Sequence, residues 1–154
     1  MATVSILDGS RVADRLRRAA LRGAGRTELL ELAARTIREA GPPYTSVYLY
    51  MLHGDELVLE GYSGRDTEHV RIPVGRGVCG TAVAERRDQN VPDVSAVSNY
   101  LACNAFTRSE LVVLIEKDGS ILGQIDVDSD VPAGFSSVEH AAVREVGDAL
   151  AELL

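Results

Sequence analysis

The stretch SELVVLIEKDGSILGQIDVDSD, residues 109–130, decides how this chain is to be folded. Leu111, Val113 and Ile115 alternate with other side chains in its first half, and Ile121, Ile125 and Val127 share a parity in its second. A period of two puts each set on one face of a strand, so the stretch reads as a β-hairpin. Both apolar sets are odd-numbered, so directly opposed residues must have equal parity if the two apolar faces are to coincide. A two-residue loop of Asp118 and Gly119 would oppose residues of unequal parity. A three-residue loop, 117–119, gives equal parity and puts its glycine where a type I turn with a G1 bulge needs a left-handed residue. That register sets Glu110 across from Asp126 with Asp128 two residues on, so three carboxylates share the face opposite the apolar one.

Like charges opposed on a ladder destabilise it, so the fold itself has no use for them there. Two readings of that face stay open. It is either solvated, or it is a polar pocket roofed by the long loop ahead of Ser109, where clustered carboxylates raise one another's pKa and favour acid–base work.

Outward from the hairpin, SSVEHAAVREVGDALAELL is a capped amphipathic helix with Val138, Ala142, Val146, Ala149 and Leu153 turned inward, which covers the apolar sheet face. Upstream, YTSVYLYML and ELVLEGYSG are strands joined by a glycine-bearing HGD loop, and HVRIPVGRG is a third that ends at Pro73. GVCGTAVAERR has the composition of a short helix. Residues 88–108 show no period, and a loop of that length inside a domain reads as functional. Two helices come first: SRVADRLRRAAL, capped by Ser10, with Val12, Leu16, Ala19 and Ala20 on one face, and TELLELAARTIREAG, capped by Thr27, with Leu30, Ala33, Ala34 and Ile37. Helices at both ends of a central antiparallel sheet make an α+β domain over 1–154, with N-terminal helices in 1–43 and the sheet, pocket loops and last helix in 44–154.

Of the 154 residues 45% are hydrophobic and 25% charged, and no apolar run approaches the roughly 20 residues of a membrane span. The N-terminus shows no secretory pattern, so the expectation is a soluble, cytoplasmic protein. A net charge of −7 argues against nucleic acid as partner. Arg11, Arg15, Arg17, Arg18, Arg22 and Arg26 form a local basic stretch, read as a solvated helix face or as a surface for an acidic partner or a second copy. Two cysteines in such a chain read as reduced thiols. Cys79 sits near a helix start, where the dipole lowers a thiol pKa, but packing is the favoured reading for it. Cys103 lies in a polar loop with no core role, open to reactivity. His53, His69 and His140 show no zinc spacing with either cysteine, so no metal is expected.

The run RIPVGRGVCGTAVAERRDQNVPDVSAVSNYLACNAFTRSELVV, residues 71–113, followed by GQIDVDSD, residues 123–130, resembles the GAF-domain free methionine-(R)-sulfoxide reductases. Their pattern has a GVCG turn, a V-x-D-V loop, an IAC segment, SE[IL]V and a D-[IV]-D-S strand. The resemblance implies a GAF-like sheet with terminal helices on one face and a ligand pocket under loops on the other. It implies Cys103 as the nucleophile that becomes a sulfenic acid, with Glu110, Asp126 and Asp128 holding the substrate ammonium and protonating the sulfoxide oxygen. Tyr44, at the position of a pocket tryptophan, and Tyr48 would wall the site. The same resemblance implies no bound cofactor, thioredoxin or a low-molecular-weight thiol as reductant, and a homodimer. The chain departs from the pattern at His69, where the resolving cysteine stands, at LAC for IAC, and at Asn104 for an aspartate. Cys79 is then the internal thiol left to resolve Cys103. An external thiol is the second option, and a non-catalytic GAF sensor for a small amino-acid-like ligand the third.

Overall fold

The computed structural model describes residues 4–102 and 105–154. The helices α1 (Gly9–Leu21) and α2 (Arg26–Arg38) bury the expected stripes, Val12, Leu16 and Ala19 in one and Leu30, Ala33, Ala34 and Ile37 in the other. Their caps differ from expectation. Asp8 caps α1 by accepting Arg11 N at 3.1 Å, while Ser10, already helical, donates instead to Glu145 at 2.8 Å. Aspartate and serine cap equally well, so the earlier residue takes the role. α2 starts after Gly25 with no side-chain cap, and Thr27 lies inside its first turn. Arg11, Arg15, Arg18 and Arg22 share an exposed face of α1, whereas Arg17 and Arg26 pair with Glu152 and Glu60.

Strands β1 (Ser46–His53), β2 (Glu56–Ser63), β3 (Arg71–Pro73), β4 (Gln89–Val91), β5 (Ser109–Lys117) and β6 (Ser120–Ser129) form one sheet in the order β3-β2-β1-β6-β5-β4. Every neighbouring pair is antiparallel. α3 (Gly77–Glu85) follows β3, and α4 (Ser137–Leu153) closes the chain. Alternation divides the sheet as the pleat requires. Val47, Leu49, Met51, Leu111, Val113, Ile115, Ile125 and Val127 pack against α1, α2 and α4. Tyr48, Tyr50, Val112 and Leu114 face the other way, against Val78, Cys79, Ala82 and Val83 of α3. At Gly61 a Cβ would lie 3.2 Å from the Glu31 backbone nitrogen, so the absent side chain is what lets α2 ride so close on β2. In α4, Ala142, Val146 and Ala149 are buried as expected, joined by Val143 and Leu150, while Val138 and Leu153 are only half-buried.

The β5–β6 hairpin corrects the expected register. Its loop is the two residues Asp118 and Gly119, with φ of 52° and 79°, the left-handed pair of a type I′ turn. Lys117 pairs with Ser120 and Glu116 with Ile121, and then the register shifts so that Ile115 pairs with Gly123. One extra residue in β6 restores equal parity away from the turn. The apolar faces therefore coincide as argued, but Glu110 lies opposite Asp128, and Asp126 opposite Val112. The stretch 88–108 also contains structure that its sequence hides. β4 pairs with Leu111 and its neighbours, a short 3₁₀ turn spans Val94–Ala96, and Asp88 extends the edge by accepting Leu114 N at 2.9 Å. No described helix is long and apolar enough to cross a membrane.

Candidate functional site

The end of the hairpin far from its turn brings three carboxylates under α3. Glu110 on β5 and Asp126 and Asp128 on β6 are 4%, 2% and 3% exposed, which rules out the solvated reading of that face. Tyr48 on β1 is the cross-strand neighbour of Asp126, so a third strand supplies an aromatic wall. Its ring is buried and stacks on Tyr62 at 5.9 Å, and its hydroxyl donates to Arg65 O at 2.7 Å.

α3 presses its first turn onto this cluster. Gly77, at a φ of +67°, turns the chain into the helix, and Gln124 Nε2 donates to Cys79 O at 3.0 Å, tying helix to sheet. The Cys79 thiol thereby comes 3.9 Å from Glu110 Oε2. Burial, then the negative charges of Asp126 and Glu110, push this thiol well above its ordinary value. The expectation that the helix dipole would lower it is overturned. A partial charge at a helix end cannot offset complete desolvation beside carboxylates. Cys79 is a protonated donor here.

Burial also pushes the Asp126 carboxyl up, with hydrogen bonds from Glu110 and Cys79 pulling partly back. Two carboxyl groups that share a hydrogen bond must hold a proton between them, so this pair is an acid even where isolated carboxylates are ionised. Asp126 Oδ1 has no hydrogen-bond partner among the described residues, although it is buried. A buried oxygen left so is costly unless something else bonds to it. One ligand-capable atom from each of Cys79, Glu110 and Asp126 lies within 4.8 Å of the others, a spacing that would also suit a metal ion.

A narrow cavity opens against Cys79, Glu110 and Asp126, lined further by Tyr50, His69, Ile72, Val78 and Leu101. Several of these escaped the sequence reading. Tyr50 shares parity with Tyr48, a signal sufficient to find it, and its hydroxyl donates to His69 O at 2.7 Å. His69 Nε2 donates in turn to Ala102 O at 3.0 Å. Leu101 closes the far side, its Cγ 2.9 Å from where a Cβ on Gly77 would stand.

Tyr44 does not join the cavity. It precedes β1 in a turn where Tyr44 N bonds Gly41 O and Thr45 N bonds Pro43 O, so the pleat does not govern its direction. It packs in the helix-side core, edge-on to Phe135, and its hydroxyl donates to Glu139 Oε1 at 2.7 Å. Burial and that carboxylate push the hydroxyl's pKa up. The expectation for Cys103 and Asn104 lies outside the described residues, immediately after Ala102.

Beside this geometry stand four likenesses. The GAF domain family matches residues 26–154. The free methionine-R-sulfoxide reductase of Escherichia coli is 36% identical over 134 residues, covering 85% of this chain and 81% of that one. The crystal structure of a free methionine-R-sulfoxide reductase from Neisseria meningitidis in complex with its substrate superposes with a TM-score of 0.87 at 30% identity, over 99% of this chain and 92% of that one. A putative GAF sensor protein from Burkholderia vietnamiensis superposes with a TM-score of 0.84, also at 30% identity, over 94% and 91%.

Proposed function

This chain belongs to the GAF-domain family, among relatives that include free methionine-R-sulfoxide reductases, and on that premise we propose that it reduces free methionine-(R)-sulfoxide to methionine. The observation that carries the reading is the buried, proton-sharing pair of Glu110 and Asp126 beneath the segment that leads into Cys103. A thiolate at Cys103 attacks the sulfoxide sulfur, and the S–O bond breaks as oxygen passes to the cysteine. Oxide is not a leaving group, so the oxygen must take up a proton, and a carboxylic acid kept neutral by burial supplies it. The products are methionine and a Cys103 sulfenic acid.

Two thiol equivalents then return the sulfenic acid to thiol, releasing water and a disulfide. With His69 at the resolving position, thioredoxin or a low-molecular-weight thiol provides them, directly or through Cys79. Cys79, raised and neutral, is poorly suited to attack from where it stands and better suited to donate a hydrogen bond to the carboxylate pair. Asp126 Oδ1, which has no partner among the described residues, accepts from the substrate ammonium with Glu110 and Asp128 around it, and Tyr48 offers the methyl group an apolar face. The cavity of about 10 Å³ is far below the roughly 300–1,000 Å³ of ordinary ligand sites, so substrate entry must spread the Leu101 side.

A coupled assay with NADPH and a thioredoxin system tests the reading. Turnover with the (R)-sulfoxide, and a dimedone adduct on Cys103 after substrate is added without reductant, support it. Neither product forming would end it. The sensor reading is favoured by one feature, the loss of the resolving cysteine at His69, and by the likeness to the putative sensor. It predicts that methionine itself raises Tm as much as the sulfoxide does, and that neither is consumed.

A further inference from the structure

The cavity wall facing the carboxylates holds a side chain able to carry the opposite sign. His69 lines the same cavity as Glu110 and Asp126, and among the residues that line it His69 alone has a side chain able to carry positive charge. Its Nε2 is committed as donor to Ala102 O at 3.0 Å, which leaves Nδ1 for a ligand. Gly77, Val78 and Cys79, the first turn of a nine-residue helix with no side-chain cap, lie against the same space and add the positive end of a helix dipole. Arg65, whose charge reaches Tyr48 and Asp128, is already held by Asp130 in two bonds of 2.7 and 2.6 Å.

A free amino acid is a zwitterion. Its ammonium suits the carboxylates, but its own carboxylate, brought into the same small space, is costly to bury without a cation. We propose that His69 binds the free α-carboxylate of the substrate and thereby restricts the site to free amino acids. The inference rests on the reductase reading above and assigns a subsite within it. The groups facing the ring are Glu110 from β5, Asp126 from β6 and Cys79 from α3; on its own segment, Glu68 is exposed and Arg71 is paired with Glu56. Those from the sheet and α3 are negative or neutral, so an arriving carboxylate finds the His69 ring as its attractive partner.

The test compares free methionine-(R)-sulfoxide with its carboxamide in the full chain, in wild type and in His69→Gln and His69→Lys. In His69→Gln, KM for the free amino acid rises about tenfold to a hundredfold while kcat changes far less, the range expected for one charge-assisted bond. Its kcat/KM for the carboxamide falls far less than for the free acid, so the preference for the free acid is lost, and His69→Lys recovers it. If His69→Gln keeps the wild-type KM and preference, the assignment to His69 is wrong while the reductase reading stands. If wild type reduces neither compound, both fall together. Should His69→Gln fail to fold, His69→Lys decides alone: a kept preference for the free acid supports the assignment and a lost one overturns it.

Discussion

Two buried carboxylate sites lie on opposite faces of one sheet, and they are built on opposite principles. On the helix side Glu139 is 5% exposed and its oxygens accept three donors: Ile6 N at 2.8 Å, Leu7 N at 3.1 Å and Tyr44 Oη at 2.7 Å. It sits three residues after the cap Ser136, where a carboxylate often reaches back to its own helix start, and here it bonds other segments instead. On the α3 side Asp126 is 2% exposed, shares a proton with Glu110, and keeps Oδ1 without a partner among the described residues. Burial is the same in both. The difference is satisfaction: a fully bonded carboxylate fastens a chain segment, and an incompletely bonded one holds energy in reserve for a ligand.

The sharpest way to break that contrast is Asp126→Asn. It keeps the shape and removes the proton-sharing acid, so the rate of sulfoxide reduction should fall by about 10²–10⁴-fold, the range of a lost general acid. Unfolding stability should hold or rise, because the variant no longer buries an ionisable group. The pH dependence has a definite sign. A carboxyl whose folded pKa is raised binds more protons folded than unfolded, so wild-type stability declines as pH climbs from the unfolded value, about 3.9, toward the folded one. Urea unfolding at stepped pH should show Asp126→Asn gaining on wild type over that interval and level with it below. A parallel course for the two proteins would mean that Asp126 is not held protonated.

Glu139→Ala reverses both effects. Three donors lose their acceptor, so denaturant unfolding should show a loss of about 2–4 kcal/mol. Enzyme rate at a temperature well below Tm should change little. A smaller effect is expected at the edge of the sheet. Asp88 is partly buried, which by itself would raise its carboxyl, yet bonds from Arg144, His140 and Leu114 N bring it below the ordinary value. Its contribution, about 2 kcal/mol, is therefore complete above the unfolded pKa and disappears as pH falls through the folded one. Asp88→Asn should lose that stability at neutral pH and match wild type in strong acid. The smallest expected change is Cys79→Ser with dithiothreitol as reductant, where a hydroxyl still donates to the carboxylates and the rate should stay within about tenfold of wild type; a loss as large as that of Asp126→Asn would place Cys79 in the thiol chemistry.

How much of this could be read beforehand follows from the range of each signal. The period of two told which residues of 109–130 face together, because side-chain direction is a local property. It could not give the register, since Leu122 lies between the two halves as an extra residue and nothing in its identity marks it so. β4 is three residues, Gln89, Asn90 and Val91, too few to show a period and ended by Pro92. Tyr44 was placed with the cavity because it stands at the position of a pocket tryptophan in the family it resembles, yet it lies in a turn after Pro42 and Pro43, outside the strand. Cys79 was half legible. Its helix position was right, but whether a dipole or desolvation governs a thiol depends on how deeply the helix is pressed onto the sheet, and no stretch of sequence around Cys79 contains Glu110 or Asp126. His69 was visible only as a departure from a pattern, and its role in the cavity came from the fold.

The most direct measurement is a single turnover without reductant, following methionine release and Cys103 oxidation together in wild type and Asp126→Asn. Wild type should release one methionine per chain as one sulfenic acid appears at Cys103, and Asp126→Asn should do so at least about 100-fold more slowly with a Tm no lower than that of wild type. Equal rates in the two proteins, or methionine released while Cys103 stays a thiol, would contradict a shared carboxyl proton as the source of the reaction.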